Sequence, residues 1–211
     1  MDFLAGSQVI SRDTDFVPRD KTIMRVLRPI IAIGICLSLA LGASAQALDS
    51  SDSSEYLIKA GFIYNFAKLV GWPQAAFAQP DSPIVIGILG TDPFGGIIDR
   101  ILADKQIDAR HFVIKRLKWG MDLKGCDILF IGSSEAAHLE EVLHALKGQP
   151  ILTIGETPGF ARRGCIINLI VEDNKVRFEV NLDAAKQADL NISSRLLALA
   201  RIIPQAAADA R

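Results

Sequence analysis

The sequence predicts an α/β protein with a mostly parallel central sheet, helices on its faces and a C-terminal antiparallel β-hairpin. Two observations carry the sheet. Ile128 to Ile131 is an unbroken apolar run closed by Gly132 and the helix start Ser133-Ser134-Glu135, and a short run apolar on both sides of the pleat is a strand covered on both faces. The same order of strand, turn and amphipathic helix occurs before it at residues 84–102, and another apolar strand follows at Ile151 to Ile154. The hairpin rests on a third observation. Val176, Phe178, Val180 and Leu182 alternate with Arg177, Glu179 and Asn181, and Asp173-Asn174 before them supply two residues that tolerate the positive φ of a tight turn.

Residues 1–47 are read apart from this fold. Arg25 and Arg28 precede an apolar run from Ile30 to Gly42, and Ala43-Ser44-Ala45 and Ala45-Gln46-Ala47 follow as small-x-small sites. That is the layout of a secretory signal peptide. The alternative, a membrane anchor, wants about 20 apolar residues, and this run is shorter. Met24 stands just before the basic flank, so it is read as the true start, with residues 48–211 forming one domain. From residue 48 onward there are 18 basic and 20 acidic side chains, with no basic block and few aromatics, which argues against a nucleic-acid partner.

The first helix is expected over residues 55–70, capped by Ser54 and stopped by Gly71 and Pro73. At 100° per residue Ile58, Phe62, Ile63, Phe66, Leu69 and Val70 form an apolar stripe, and Lys59 falls inside it. Glu55, one turn earlier, is the local partner for that lysine. Two uses of Lys59 stay open: a stem that covers apolar surface with its head in water, or a charge presented to a ligand or partner.

Ile84 to Leu89 is the next strand, and Gly90 to Gly96 turns into a helix at Ile97 to Leu102. The turn matches neither G-x-G-x-x-G nor G-x-x-x-x-G-K-[ST], so its glycines are read as serving tight packing rather than a phosphate. Phe112 to Leu117 carries basic residues and belongs near an edge. After the central strand a helix is expected from Glu135 to Leu146, with Ala136, Leu139, Val142, Leu143 and Leu146 on one face. The strand at Ile151 to Ile154 leaves the sheet into a loop carrying Glu156, Phe160, Arg162 and Arg163. Ligands of open α/β sheets sit beyond the carboxyl ends of strands, which makes this loop the place to look for a site, an ordinary solvated loop being the alternative. Short helices at residues 184–188 and 193–202 close the domain, the second capped by Ser193.

Cys126 and Cys165 begin the central strand and the strand two places away, so their Cα atoms should be about 10 Å apart at ~4.8 Å per strand. A disulfide needs roughly 4.4–6.8 Å, and both are expected to be free. No catalytic constellation can be assembled. His111, His138 and His144 have no Cys, His or carboxylate at metal-ligand spacing, and Ser133-Ser134 lacks the flanking glycine of a nucleophile elbow. Neither enzyme activity, a metal nor a cofactor is expected.

The signal peptide, Tyr56 to Lys68 followed by Trp72-Pro73, Ile86 to Gly90, Cys126 to Ile131, Leu152 to Glu156, Gly159-Phe160, Ile167-Asn168, Val176 to Asn181 and Ile192 to Leu197, in that order, resemble the YfiR family of periplasmic proteins, also known as DUF4154. The resemblance implies a three-layer α/β/α sandwich without catalysis of its own. It also implies a periplasmic repressor that binds the periplasmic sensory part of a membrane-anchored diguanylate cyclase and so lowers cyclic-di-GMP synthesis. Such members use disulfide-linked cysteines as redox switches. Cys126 matches a family cysteine, but Ile86 to Leu89 offers no cysteine on the neighbouring strand to receive it. Partner contacts are assigned to Lys59, Asn65, Trp72, Glu156, Phe160, Arg162 and Arg163. A runner-up is a periplasmic small-molecule-binding module serving a transporter or sensor kinase, with Lys59, Glu156 and Arg162 on the ligand. A homodimer is compatible with either.

Overall fold

The computed structural model describes residues 53–204, so the expected signal segment and alternative start at Met24 lie outside the described residues. Helix α1 occupies residues 53–69, with Ser54 inside it rather than at its cap. Its buried face is Ala60, Ile63, Phe66 and Ala67. Ile58, placed on that stripe by periodicity, is half exposed, because it sits about 140° from Ile63 at 100° per residue. The chain then forms β1 (Val70–Gly71), a 3-10 turn at Gln74–Ala76, β2 (Ile84–Leu89), α2 (Ile97–Leu102), β3 (Gln106–Ile107), β4 (Arg110–Leu117) and β5 (Ile128–Ile131). After a 3-10 turn at Ser133–Glu135 come α3 (Leu139–Ala145), β6 (Leu152–Gly155), β7 (Ile167–Glu172), β8 (Lys175–Val180), α4 (Leu182–Gln187), β9 (Asn191–Ile192), α5 (Ser194–Leu197) and β10 (Arg201–Ile202).

The main sheet has the order β10-β8-β7-β6-β5-β2-β4-β3, and β1 pairs separately with β9. Strands β4, β2, β5, β6 and β7 are parallel neighbours, while β7–β8 and β3–β4 are antiparallel. The central strand lies where the apolar run predicts it, and all four of its residues are buried. Period-two alternation divides the core between the two faces. Ile86, Ile88, Ile128, Phe130 and Ile154 pack with α1, α2 and the C-terminal helices, whereas Leu89, Leu129 and Ile131 pack with α3 and Phe160. The hairpin turns through Asp173 at φ 50° and Asn174 at φ 58°, with Glu172 opposite Lys175.

Two helices differ from expectation. The predicted helix over residues 135–146 is broken at His138, whose ψ of 2° separates the 3-10 turn from α3. The predicted helix over 193–202 keeps its Ser193 cap, whose hydroxyl accepts from Leu196 N at 3.3 Å, but ends at Leu197. Beyond it, Arg201 and Ile202 pair with β8, and Ile203 N donates to Val180 O at 2.8 Å. A β-branched pair beside an available strand edge takes the sheet rather than the helix. Cys126 and Cys165 are buried and free, placed before β5 and β7 with β6 between.

Candidate functional site

Parallel strands β2 and β6 end at Leu89 and Gly155, and α1 begins above those carboxyl ends. Tyr56 packs edge-on against Phe94 at 5.4 Å, and Lys59 reaches Glu156 just beyond β6. The lysine Nζ lies 2.7 Å from Glu156 Oε2 and 2.6 Å from Glu55 Oε1, 4.5 Å over the Tyr56 ring. The Tyr56 hydroxyl donates to the same Glu156 oxygen at 3.2 Å. Lys59 is 4 % exposed, so its charge is held by carboxylates rather than by water. Burial pulls its pKa down, but the hydrogen bonds to Glu156 and Glu55 outweigh that and raise it above the ordinary lysine value. Burial, helped by the Glu156 charge, pushes the Tyr56 phenol up to about 12.

The i,i+4 pair of Glu55 and Lys59 is the one the sequence supplied; Glu156 joins it from 97 positions away. Tyr56 is the member that sequence reading missed, although its place three residues before Lys59 puts it on the same helical face. A groove of about 430 Å³ opens beside the cluster, lined by Glu55, Lys59 and Glu156 together with Glu172, Glu179 and Arg201. Arg162 is exposed and is not part of that lining.

The loop after Glu156 is anchored from below. Phe160 is fully buried, a correction to its expected place among the partner-contacting side chains of this loop. Its ring lies against Gly155, where a Cβ would come within 2.5 Å of Phe160 Cδ2, so the bare backbone of Gly155 is what admits the ring. Asn181 donates to Ala161 O at 2.7 Å, fixing the next residue as well. Arg162 and Arg163 are exposed, the latter within 3.5 Å of Ala136 O and Glu140 Oε1. Thr157 Oγ1 is buried without a partner among the described residues.

Trp72 and Asn65 stand elsewhere. Trp72 packs edge-on against Phe77 at 6.1 Å, and Phe77 lies 3.8 Å from the Arg110 guanidinium at the start of β4. These are the amino ends of the parallel strands, and α1 spans the distance between the two ends, about 25 Å at 1.5 Å per residue. The loop arginines and Trp72 therefore do not form one continuous surface. Asn65 turns its amide back to Gly61 O at 2.9 Å on the exposed side of the helix.

A family model described as YfiR/HmsC-like, DUF4154, matches residues 56–201, from Tyr56 on α1 to the first residue of β10. The chain belongs to this family. YfiR/HmsC-like proteins are typically periplasmic, and the family is a regulatory one, consistent with control of cyclic-di-GMP signalling through a signalling partner. Among solved structures the chain is similar to the ABC domain in complex with L-Trp from Streptococcus pneumoniae, at 9 % identity and TM-score 0.43, covering 56 % of this chain and 55 % of that one. It is also similar to a conserved domain protein from Vibrio cholerae O1 biovar El Tor, at 13 % identity and TM-score 0.42, covering 58 % and 55 %. The chain thus spans little more than half the length of either. Among the described residues no helix is long and apolar enough to cross a membrane.

Proposed function

We propose that this protein is exported to the periplasm and there represses a membrane-anchored diguanylate cyclase by binding its periplasmic sensory part. The observation that carries the reading is the family match, which runs through every element from α1 to β10. The basic flank, apolar run and small-residue exit within residues 25–47 support the compartment. The contact surface of this reading is the loop beyond β6, where Arg162 and Arg163 are exposed on a backbone fixed by buried Phe160. Arginines on a rigid support are a residue type over-represented where binding energy concentrates.

The experiment deletes the gene, measures cellular cyclic-di-GMP and complements with wild type or with Arg162→Ala/Arg163→Ala. Deletion should raise cyclic-di-GMP, wild type should lower it again, and the double variant should fail while accumulating normally. No rise on deletion removes the regulatory reading; full complementation by the double variant moves the surface away from this loop.

A further inference from the structure

Strand β10 covers only part of its neighbour. Its register is with Glu179 and Val180, so among the described residues no strand lies alongside Lys175 to Arg177. A groove of about 460 Å³ runs there, floored by Val176, Phe178 and Phe62 and walled by Leu199. Leu199 is 73 % exposed, a large apolar side chain with no cover among the described residues.

The backbone along this edge is set to receive a strand. In an antiparallel hairpin the residues alternate between bonding their partner and pointing outward. Glu172 and Lys175 flank the two-residue turn and bond each other, so Lys175, Arg177 and Glu179 face β7 with their amides, and Val176, Phe178 and Val180 face outward. Val180 confirms the phase, since its carbonyl accepts from Ile203 N at 2.8 Å. The amide groups of Val176 stand in the same orientation, with no strand beside them among the described residues.

The side chains at this edge specify what that strand would carry. Val176 and Phe178 point to the apolar face, and Lys175 and Arg177 to the other. Glu172, the nearby carboxylate, is held by both Arg201 nitrogens at 2.7 Å and stands 3.8 Å from Arg177. Glu179 shares that face and stands 3.9 Å from Arg201, so Lys175, Arg177 and Arg201 face two carboxylates there, leaving an excess of positive charge at Lys175 on one face and an apolar trough on the other.

We propose that the open edge of β8 is a strand-addition site for an extended segment of another protein that alternates acidic with apolar residues. The apolar positions enter the Phe62–Leu199 trough, the acidic ones face Lys175 and Arg177, and the main-chain bonds are made by Val176. The site is independent of the loop arginines and of the cyclase reading.

The probe is the capped peptide Glu-Val-Glu-Leu-Glu-Val-Glu, followed by fluorescence anisotropy and by amide NMR of the protein. Expected results are binding about tenfold tighter than that of the lysine counterpart or of a scrambled peptide of the same composition, with the Val176 amide becoming protected from exchange. Lys175→Glu/Arg177→Glu, at two exposed positions and with the fold checked by circular dichroism because both face Glu172, should invert the preference between acidic and basic peptides. Val176→Pro should abolish binding at unchanged circular dichroism. Equal binding of scrambled and alternating peptides, or no protection at Val176, overturns the proposal. So does a protein that is dimeric alone and made monomeric by Lys175→Glu/Arg177→Glu, since the edge would then belong to a second copy.

Discussion

Lys59 on α1 and Glu156 beyond β6 form an ion pair 2.7 Å long in which each side chain is only 5 % exposed. Removing one member of such a pair strands the other charge away from water. Lys59→Met, which leaves two carboxylates facing each other, should destabilise the protein by about 3–5 kcal/mol. Glu156→Gln should cost less, because Glu55 still holds the lysine. Urea denaturation with a double-mutant cycle measures both, and a Lys59→Met effect under about 1 kcal/mol would place the pair in the class of solvated surface bridges.

The same cluster sets an alkaline limit. The folded values of Lys59 and Tyr56 are both raised from ordinary values of 10.5 and 10.0, so the folded state holds these protons more tightly than the unfolded chain. Their contribution is complete below the unfolded values and is lost as pH rises through the folded ones, about 12 for Tyr56. Ultraviolet titration should show one phenol ionising near that value, absent in Tyr56→Phe. Stability that stays flat across this alkaline range would contradict the burial of the phenol.

Phe160 and Arg162 are two residues apart and should answer mutation in opposite ways. Phe160→Ala empties a buried site and should cost about 3–5 kcal/mol; Arg162→Ala should stay within about 0.5 kcal/mol. Equal and small shifts in denaturation midpoint would mean that the Phe160 ring is not fixed in the core.

Gly87 on β2 faces Cys126, two residues before β5. A Cβ at Gly87 would lie 2.8 Å from Cys126 Sγ, 2.9 Å from Leu129 Cδ1 and 3.0 Å from Leu117 Cδ1. Gly87→Ala should therefore destabilise by about 1–3 kcal/mol through overpacking. That Cβ-to-Sγ spacing is also close to the roughly 3 Å found across a disulfide, so Gly87→Cys should cross-link to Cys126 under oxidation. Peptide mapping without reductant reads the bond, and its absence after full oxidation would show that the two strands are held too far apart.

Cys165 is fully buried, and burial pushes its thiol up to about 12, so the thiolate that reacts is scarce at neutral pH. Native protein should label with a thiol reagent far more slowly at Cys165 than denatured protein does. Prompt labelling would mean that the strand start opens easily.

The strands were legible because their apolar runs are local signals. Ile84–Leu89 and Ile128–Ile131 fall where pattern alone puts them, and Ile97–Leu102 likewise. Two-residue strands were not: Val70–Gly71 owes its assignment to Asn191–Ile192, a partner no local window contains. Within the site, Lys59 announced itself as a charge in an apolar stripe and Glu55 as its neighbour. Phe160 was misplaced because glycines and arginines around it mark a loop, while its burial depends on Gly155 leaving room beneath the ring. The separation of Trp72 from the loop follows from the direction of α1, which composition does not record.

That direction has a kinetic consequence. A chain made, or threaded through a membrane pore, from its N terminus brings out α1 first, yet the carboxylate that completes its lysine cluster comes 97 residues later. Until Glu156 and the strand before it emerge, the helix has a half-satisfied charge and an uncovered row of Ile63, Phe66 and Ala67. Contacts this distant in sequence close late and slow the search. The earliest segment of the domain to appear is thus among the last to settle, and it is the segment that a holding chaperone would have most reason to occupy.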